Sequence, residues 1–156
     1  MTQHLCPCGS NLSYQSCCQV FHTGQQHTPN ALTLMRSRYS AFALQHIDYL
    51  KQTTVPAQQD LLDLAAIQSW SERATWLGLE ILTFKEKIGQ THAQVEFIAH
   101  FSENGITQQH QELSTFVCIK DKWFFIDPTV PLPSMKTPCF CGSSKKFKHC
   151  CGAFLR

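Results

Sequence analysis

Apolar positions recur at helical spacing in the first part of the middle of the chain. After Asn30, a residue type that caps helices, the spacing predicts one helix running to about residue 53, near Val55-Pro56. Its inward positions are Leu32, Met35, Tyr39, Phe42, Ala43, His46 and Leu50. A second helix is predicted from a cap at Asp60 to about Arg73, with inward residues Leu61, Leu64, Ala65 and Ile67.

The period of the pattern then changes from helical spacing to alternation. Segments rich in β-branched and aromatic residues predict four strands, at residues 76–87, 92–102, 106–119 and 123–127. Glu103-Asn104-Gly105 is a strong signal for a hairpin turn. Helices followed by an antiparallel meander predict an α+β fold, in which a curved antiparallel sheet packs on the N-terminal helices. The concave face of such a sheet is a natural place for a pocket.

Eight of the nine cysteines lie in two clusters that share the pattern C-x-C-x8-C-C. Two close pairs of soft thiolate ligands favour one tetrahedral metal ion, so each cluster predicts a structural site. The predicted ligands are Cys6, Cys8, Cys17 and Cys18 in the first motif and Cys139, Cys141, Cys150 and Cys151 in the second. Two zinc ions are the expected cofactors, and iron is the alternative, since tetrahedral sulfur suits both metals.

Further shared positions support this interpretation. Each motif has a glycine for a tight turn, a serine that can cap the turn or donate to a thiolate, and an aromatic ring that can cover the metal loop. These residues are Gly9, Ser10 and Tyr14 in the first motif and Gly142, Ser143 and Phe147 in the second. A histidine beside each cluster, His22 or His149, either replaces a cysteine as ligand or is free and solvated, which is the interpretation we prefer.

Disulfides and redox-active thiols are the alternatives to a metal. The N-terminus has neither the basic region nor the apolar stretch of a secretion signal, and no segment has the roughly 20 apolar residues of a membrane span. The expected location is therefore the cytoplasm, where thiols stay reduced and stable disulfides are rare.

Charge distinguishes the two motifs. The formal net charge is only +2, but five of the thirteen basic residues lie in 136–156, which contains no acidic residue. Three of the five lie inside the second motif, where the first has uncharged residues, and they are Lys145, Lys146 and Lys148. We expect this surface to bind an acidic partner, either a protein or ribosomal RNA, while the first motif anchors its own end.

Polar residues in the middle of the chain suggest a second kind of site. The candidates for a pocket are Arg36, Arg38, Tyr39, His100, Glu112 and Asp127. His100 and Glu112 lie on strands that flank the predicted turn, so they are expected to approach one another and could do acid–base chemistry. The alternative is structural, with either arginine paired to Glu112 or Asp127 as a satisfied buried charge.

The second cysteine cluster, continued through Gly152, closely resembles the SEC-C motif, named for the zinc-binding C-terminal tail of the translocation ATPase SecA. The final ligand there is usually histidine, where this chain has Cys151, and Ser144 stands in place of the usual glycine. In SecA the motif implies zinc and contact with the chaperone SecB or the ribosome. The resemblance extends these partners, as expectations, to the lysines of the second motif.

The chain as a whole resembles the YchJ family of bacterial proteins. The resemblance rests on both cysteine motifs, residues 34–42, the strands around Glu112, and Trp123-Phe124-Phe125-Ile126-Asp127, although Pro128 follows where a glycine is common. It implies a middle domain with a nuclear transport factor 2-like fold, in which the sheet forms a cone around the helices.

Three parts are expected along the chain. Residues 1–28 form the first zinc motif and a linker, 29–130 the α+β domain, and 131–156 a linker stiffened by prolines and the second motif. The preferred function is a non-enzymatic adaptor that binds a protein or ribosomal partner. The alternative is an enzyme or a ligand-binding domain that takes a small molecule in the pocket.

Overall fold

A computed structural model of the protein describes residues 4–155. Its helices are α1 (Gln19–His22), α2 (Ala31–Leu44), α3 (Ile47–Gln52) and α4 (Leu64–Arg73). Its strands are β1 (Thr75–Lys85), β2 (His92–Glu103), β3 (Ile106–Ile119) and β4 (Lys122–Ile126). The strands form one antiparallel sheet in the order β1-β2-β3-β4. The predicted α+β class, with helices before an antiparallel meander, is confirmed.

The helical region is divided differently from the prediction. Asn30 does cap α2, accepting a hydrogen bond from the Thr33 amide, but the helix does not continue to residue 53. Gln45 adopts a left-handed conformation with φ 63°, and its N–H bonds to the carbonyls of Ala41 and Phe42, which ends the helix. The chain then restarts as α3. Apolar spacing could not reveal this break, because glutamine is not a usual residue for a left-handed cap.

The predicted cap of the second long helix is also shifted. Asp63 rather than Asp60 caps α4, with its side chain accepting a hydrogen bond from the Ala66 amide. Residues Pro56–Leu61 form a separate 3-10 helix instead. Proline fits the first turn of such a helix, where its missing N–H has no partner to lose.

The hairpin between β2 and β3 is as predicted. Asn104 and Gly105 both have positive φ, 53° and 77°, as a two-residue turn with matching strand twist requires. The register runs from Glu103 opposite Ile106 along the whole length of β2. Because side chains alternate along a strand, this register decides which residues of β3 face the helices.

The core lies between the concave face of the sheet and α2. Every second residue of β2 points into it, together with Phe116 from β3 and the apolar residues of α2, and the buried set is Ala31, Leu34, Met35, Tyr39, Ala93, Val95, Phe97, Ala99 and Phe116. The intervening residues of β2, including Glu96 and His100, therefore face away from the helices.

Both cysteine motifs pack on the middle domain. In the second, Phe147 and three of the four ligand cysteines share a buried cluster with Val55, Val117 and Ile126. The second motif is therefore seated directly on the domain through an apolar contact, which the sequence did not predict. In the first motif, the Arg36 guanidinium donates to the Cys8 carbonyl at 2.8 Å.

None of the helices between residues 4 and 155 has both the length and the apolar character required to cross a bilayer.

Candidate functional site

The first cluster brings its four sulfur atoms together. The Sγ atoms of Cys6, Cys8, Cys17 and Cys18 lie within 4.8 Å of one another. Cys17 Sγ is 3.6 Å from that of Cys8 and 3.9 Å from that of Cys18. A tetrahedral site with Zn–S bonds of about 2.3 Å has sulfur atoms about 3.8 Å apart, so the cluster fits a zinc-sized ion.

The second cluster has the same geometry. Its four Sγ atoms also lie within 4.8 Å of one another, and those of Cys141 and Cys150 are 3.5 Å apart. This separation is far longer than the roughly 2.05 Å of a disulfide bond, and all eight cysteines are free thiols. The structure therefore brings together both predicted ligand sets and does not form the disulfides of the alternative.

The backbone of both loops turns as predicted from the glycines. Gly9 has φ 83° and Gly142 has φ 84°, in the left-handed region that glycine adopts without strain. Two residues later the chain is again left-handed, at Asn11 (φ 66°) and at Ser144 (φ 69°). The position two residues after the glycine can therefore be occupied by a residue other than glycine. The left-handed conformation is strained for Ser144, whereas asparagine, as at Asn11, adopts it more readily.

The serine of each motif both contacts a cysteine sulfur and caps the turn, as predicted. Ser143 Oγ donates to Cys150 Sγ at 3.1 Å, and the Ser10 hydroxyl lies 3.2 Å from Cys17 Sγ. Each hydroxyl also accepts a hydrogen bond from the amide two residues further on, at 3.2 and 3.3 Å. Such bonds hold the loop and spread the charge of a thiolate ligand.

The two aromatic positions differ in their surroundings. Phe147 is fully buried in the contact between the second motif and the domain, with the Phe140 ring 5.4 Å away. A Cβ atom on Gly152 would lie 2.7 Å from both Cδ1 and the carbonyl oxygen of Phe147. Tyr14 is only partly buried, and its hydroxyl lies 2.7 Å from His22 Nδ1.

The two histidines beside the motifs do not belong to the groups of ligand atoms. His149 is exposed, as expected. His22 is not solvated, which corrects the prediction: its Nε2 donates to the Ser37 carbonyl at 2.8 Å, and its ring packs on Tyr49. Burial lowers the pKa of His22, so it is neutral at neutral pH.

His92 contacts the second cysteine cluster, which the sequence did not reveal. It begins β2 and is buried, with Nε2 3.2 Å from Cys151 Sγ and the Phe154 ring 4.7 Å from its own. A histidine N–H directed at a thiolate fixes the orientation of that ligand. The only sequence signal was a histidine at the start of an alternating segment, far from either motif.

The three lysines of the second motif lie on its surface. Lys145, Lys146 and Lys148 are exposed, and none of the ion pairs found within residues 4–155 involves them. The Lys148 amide donates to the carbonyl of Met135, a side chain that is 49% exposed. Arg156, counted with the basic tail, lies outside the described residues.

A cavity of about 260 Å³ opens between the helices and the concave face of the sheet. Its walls are mostly apolar and aromatic, and its polar lining residues are Arg38, Tyr39, Thr54, His110, Glu112, Ser114, Asp127 and Thr129. Four predicted pocket residues therefore line it, namely Arg38, Tyr39, Glu112 and Asp127. Arg36 does not, because its guanidinium is engaged at the first cysteine motif.

The expected pairing of His100 with Glu112 is wrong. His100 lies opposite Gln109 in the register and faces the outer side of the sheet, where its Nε2 is 3.3 Å from Glu80 Oε2. The partner of Glu112 is His110, which the sequence reasoning missed. His110 and Glu112 alternate on one face of β3, so the alternation itself was the signal that could have found the pair.

His110 and Ser114 together hold the Glu112 carboxylate. His110 Nε2 is 3.3 Å from Oε1, and the Ser114 hydroxyl donates to Oε2. The hydrogen bond to Glu112 raises the pKa of His110, against the effect of burial. Burial by itself raises the pKa of Glu112, but hydrogen bonds from His110 and Ser114 and the charges of His110 and Arg38 outweigh it and lower the pKa.

Arg38 is buried without a carboxylate partner. Its Nη1 donates to the Leu50 carbonyl at 2.9 Å and to Thr53 Oγ1 at 2.7 Å, and the guanidinium lies 4.4 Å from the centre of the Phe125 ring. Burial lowers the pKa of Arg38 to about 10, so it stays charged at neutral pH. The predicted arginine–carboxylate pair is absent from the ion pairs within residues 4–155.

Comparison with protein families gives two matches. Residues 30–128 match the family described as "YchJ, middle NTF2-like domain", which is the nuclear transport factor 2-like fold expected above. Residues 135–153 match the SEC-C motif.

Similar proteins cover almost the whole chain. A UPF0225 protein of Haemophilus influenzae strain PittEE is 53% identical over 150 residues, covering 96% of this chain and 93% of that protein. A UPF0225 protein of Actinobacillus succinogenes is 50% identical over 151 residues, covering 97% and 98%.

Two solved structures share the fold. The crystal structure of a SEC-C motif containing protein from Psychrobacter arcticus has a TM-score of 0.90 and 45% identity, covering 96% of each chain. The solution structure of a SEC-C motif containing protein from Rhodopseudomonas palustris has a TM-score of 0.73 and 36% identity, covering 78% of this chain and 94% of that one.

Proposed function

The chain belongs to the YchJ family, and on that premise we propose that it is a zinc-binding adaptor whose second metal module presents a basic surface to an acidic protein. Zinc is the metal we assign to both clusters. Four thiolates in a closed, tetrahedral set are the usual ligands of structural zinc, and the second motif matches the zinc-associated SEC-C family.

The observation that carries the proposal is the charge of the second module after metal binding. One zinc ion with four thiolates has a charge of about −2. Residues 135–153 contain four lysines and no acidic residue, so the filled module remains positive. The first motif, at residues 6–18, contains no charged side chain apart from its cysteines and becomes negative. The modules therefore have the same ligands but opposite surface charge.

Neighbouring apolar side chains favour a protein as partner. Met135 is 49% exposed and Leu132 is 37% exposed, and Met135 is hydrogen-bonded through its backbone to Lys148. The Phe147 ring, on which a base of single-stranded RNA could otherwise stack, is buried, and the Phe140 ring is only partly exposed. Mixed apolar and basic groups suit an acidic protein segment, such as that of a chaperone or a ribosome-associated protein.

The experiment compares capture of partners from nuclease-treated bacterial lysate by three forms of the whole protein. These are the wild type, K145Q/K146Q/K148Q, and K85Q/K87Q/K122Q, which removes the same charge from exposed lysines elsewhere. We expect one protein to be retained by the wild type and the control, to be lost with the first variant, and to dissociate at raised salt. All three forms should contain two zinc ions per chain.

Three results would contradict the proposal. Equal retention by both variants would show that the lysines of the second motif do not form the binding surface. Binding that is found only in lysate left untreated with nuclease would identify RNA rather than protein as the partner, which co-sedimentation with purified ribosomes would then confirm. A folded protein without metal would refute the assignment of both zinc sites.

A further inference from the structure

The cavity in the middle domain has one polar side and otherwise aromatic walls. Phe42, Trp70, Trp76 and Phe97 all line it. The indole N–H of Trp76 already donates to the Ser71 carbonyl at 3.3 Å, so this wall is apolar. A volume of about 260 Å³ lies near the lower end of ligand pockets and suits a compound of one or two fused rings.

His110, whose side chain is 44% exposed, lines this cavity and has one ring nitrogen without a protein partner among residues 4–155. Its Nε2 is engaged with Glu112, while Nδ1 takes part in none of the hydrogen bonds found among residues 4–155. Glu112 accepts the hydrogen bond from Nε2, which places the proton on that nitrogen. Above the raised pKa of His110 the ring is neutral, and the Nδ1 lone pair is then free to accept, so binding is measured at alkaline pH. The Trp70 and Phe97 rings lie 5.9 and 6.3 Å from His110, so a group bonded to Nδ1 meets aromatic walls.

The remaining charged groups of the cavity have protein partners. Nη1 of Arg38 donates to one backbone carbonyl, that of Leu50, and to one hydroxyl, that of Thr53. Asp127 Oδ1 accepts hydrogen bonds from the amide and the hydroxyl of Thr129. An anionic ligand would meet the carboxylates of Glu112 and Asp127, and a cationic ligand would meet Arg38. An uncharged ligand avoids both conflicts.

We propose that this cavity binds an uncharged, flat ring compound whose hydroxyl group donates to Nδ1 of His110. The Glu112–Ser114 pair orients the imidazole, and the aromatic walls bury the rings of the ligand. This site is separate from the basic surface of the second zinc module, and it adds a small-molecule binding function to the middle domain.

The test uses 2-naphthol as the probe and naphthalene as its partner without the hydroxyl. Binding to the intact zinc-loaded protein is followed by the NMR signals of the tryptophan indole N–H groups. Trp70 and Trp76 line the cavity, whereas Trp123 does not and serves as internal reference. We expect saturable shifts for Trp70 and Trp76 alone, with 2-naphthol binding about tenfold more tightly than naphthalene, as one buried hydrogen bond provides.

The variants assign the preference to His110. His110→Phe should abolish the preference for 2-naphthol while naphthalene still binds. Glu112→Gln, which keeps the shape but weakens the acceptor for Nε2–H, should reduce the preference and serves if the first variant fails to fold. His100→Phe is the matched control, because it removes a histidine that is also 3.3 Å from a glutamate but on the other face of the sheet.

The proposal is overturned by any of three results. The first is the absence of saturable shifts at Trp70 and Trp76. The second is equal affinity for the two probes in the wild type. The third is a preference for 2-naphthol that survives in both His110→Phe and Glu112→Gln, or that is lost in His100→Phe.

Discussion

Gly152, next to the last cysteine of the second motif, has no room for a side chain, and replacing it with alanine tests the packing there. The added Cβ would lie 2.7 Å from Cδ1 and the carbonyl oxygen of Phe147 and 2.8 Å from Cε1. Ordinary contacts between carbon atoms are about 3.5 Å or longer, so the shortfall is about 0.8 Å.

Neither group that meets the new atom can move away easily. The Phe147 ring is fully buried, and its carbonyl accepts the Cys150 amide at 3.0 Å in the turn that carries the ligand. The backbone at Gly152 must therefore shift, and with it the adjacent Cys150 and Cys151. Overpacking of this kind costs about 1–3 kcal/mol, which corresponds to roughly 5- to 150-fold weaker retention of zinc at the second site.

The assay challenges the protein with a chelator and counts the remaining ions by native mass spectrometry. In a background with Cys17→Ser, which disables the first site, Gly152→Ala should retain zinc roughly 5- to 150-fold more weakly than the same background with Gly152. The matched control is Gln19→Ala in a background with Cys150→Ser, which disables the second site instead, because Gln19 occupies the equivalent position after the first cysteine pair and already carries a Cβ. Wild-type release from Gly152→Ala, or equally fast release from Gln19→Ala at its own site, would refute the reasoning.

Three further predictions concern single side chains. Ser144→Gly removes the backbone strain of a left-handed serine and should stabilise zinc binding at the second site by about 0.5 kcal/mol. Slower folding or faster release of zinc by this variant would contradict the prediction. His92→Phe removes the contact with Cys151 and should weaken zinc retention at that site by about tenfold or more, with the exposed His149→Gln as an unaffected control. His110→Asn should destabilise the protein most between pH 4.5 and 6.5 in urea titrations. The raised pKa of His110 makes its contribution fade as pH rises above that window, and the lowered pKa of Glu112 makes its contribution fade as pH falls below it. A cost that grew toward alkaline pH would refute this account.

The two groups of clustered cysteines were predictable because their signal is local and repeated. Two motifs with the same cysteine spacing leave few alternatives, and the order of helices and strands follows from the period of the apolar residues. The break at Gln45 could not be predicted in the same way, since that residue carries no intrinsic preference for a left-handed cap.

The wrong prediction of the pocket residues has a different cause. The sequence does not show which face of the sheet each alternate residue of a strand occupies. His100 and His110 both belong to long alternating segments, and a shift of one residue moves a side chain from one face of the sheet to the other. The register from the Asn104-Gly105 turn settles the faces, but it depends on pairing along the whole hairpin. The packing of the second motif on the domain was missed for a related reason. Phe147 packs against residues that are distant from it in the sequence, so the contact cannot be inferred from the motif alone.

The contacts that seat both cysteine motifs on the middle domain couple metal supply to the folding equilibrium. Cys6 lies 3.4 Å from the hydroxyl of Ser40 in α2, and His92 of β2 reaches Cys151, so ligand atoms at both ends touch the central fold. A ligand that binds only the native state stabilises it by mass action, about 1.4 kcal/mol per site for each tenfold increase in free metal above the dissociation constant. With zinc in both clusters, as proposed above, the melting temperature of the whole chain becomes a readout of the zinc available to it. A core substitution far from any cysteine is then expected to change the measured metal affinity.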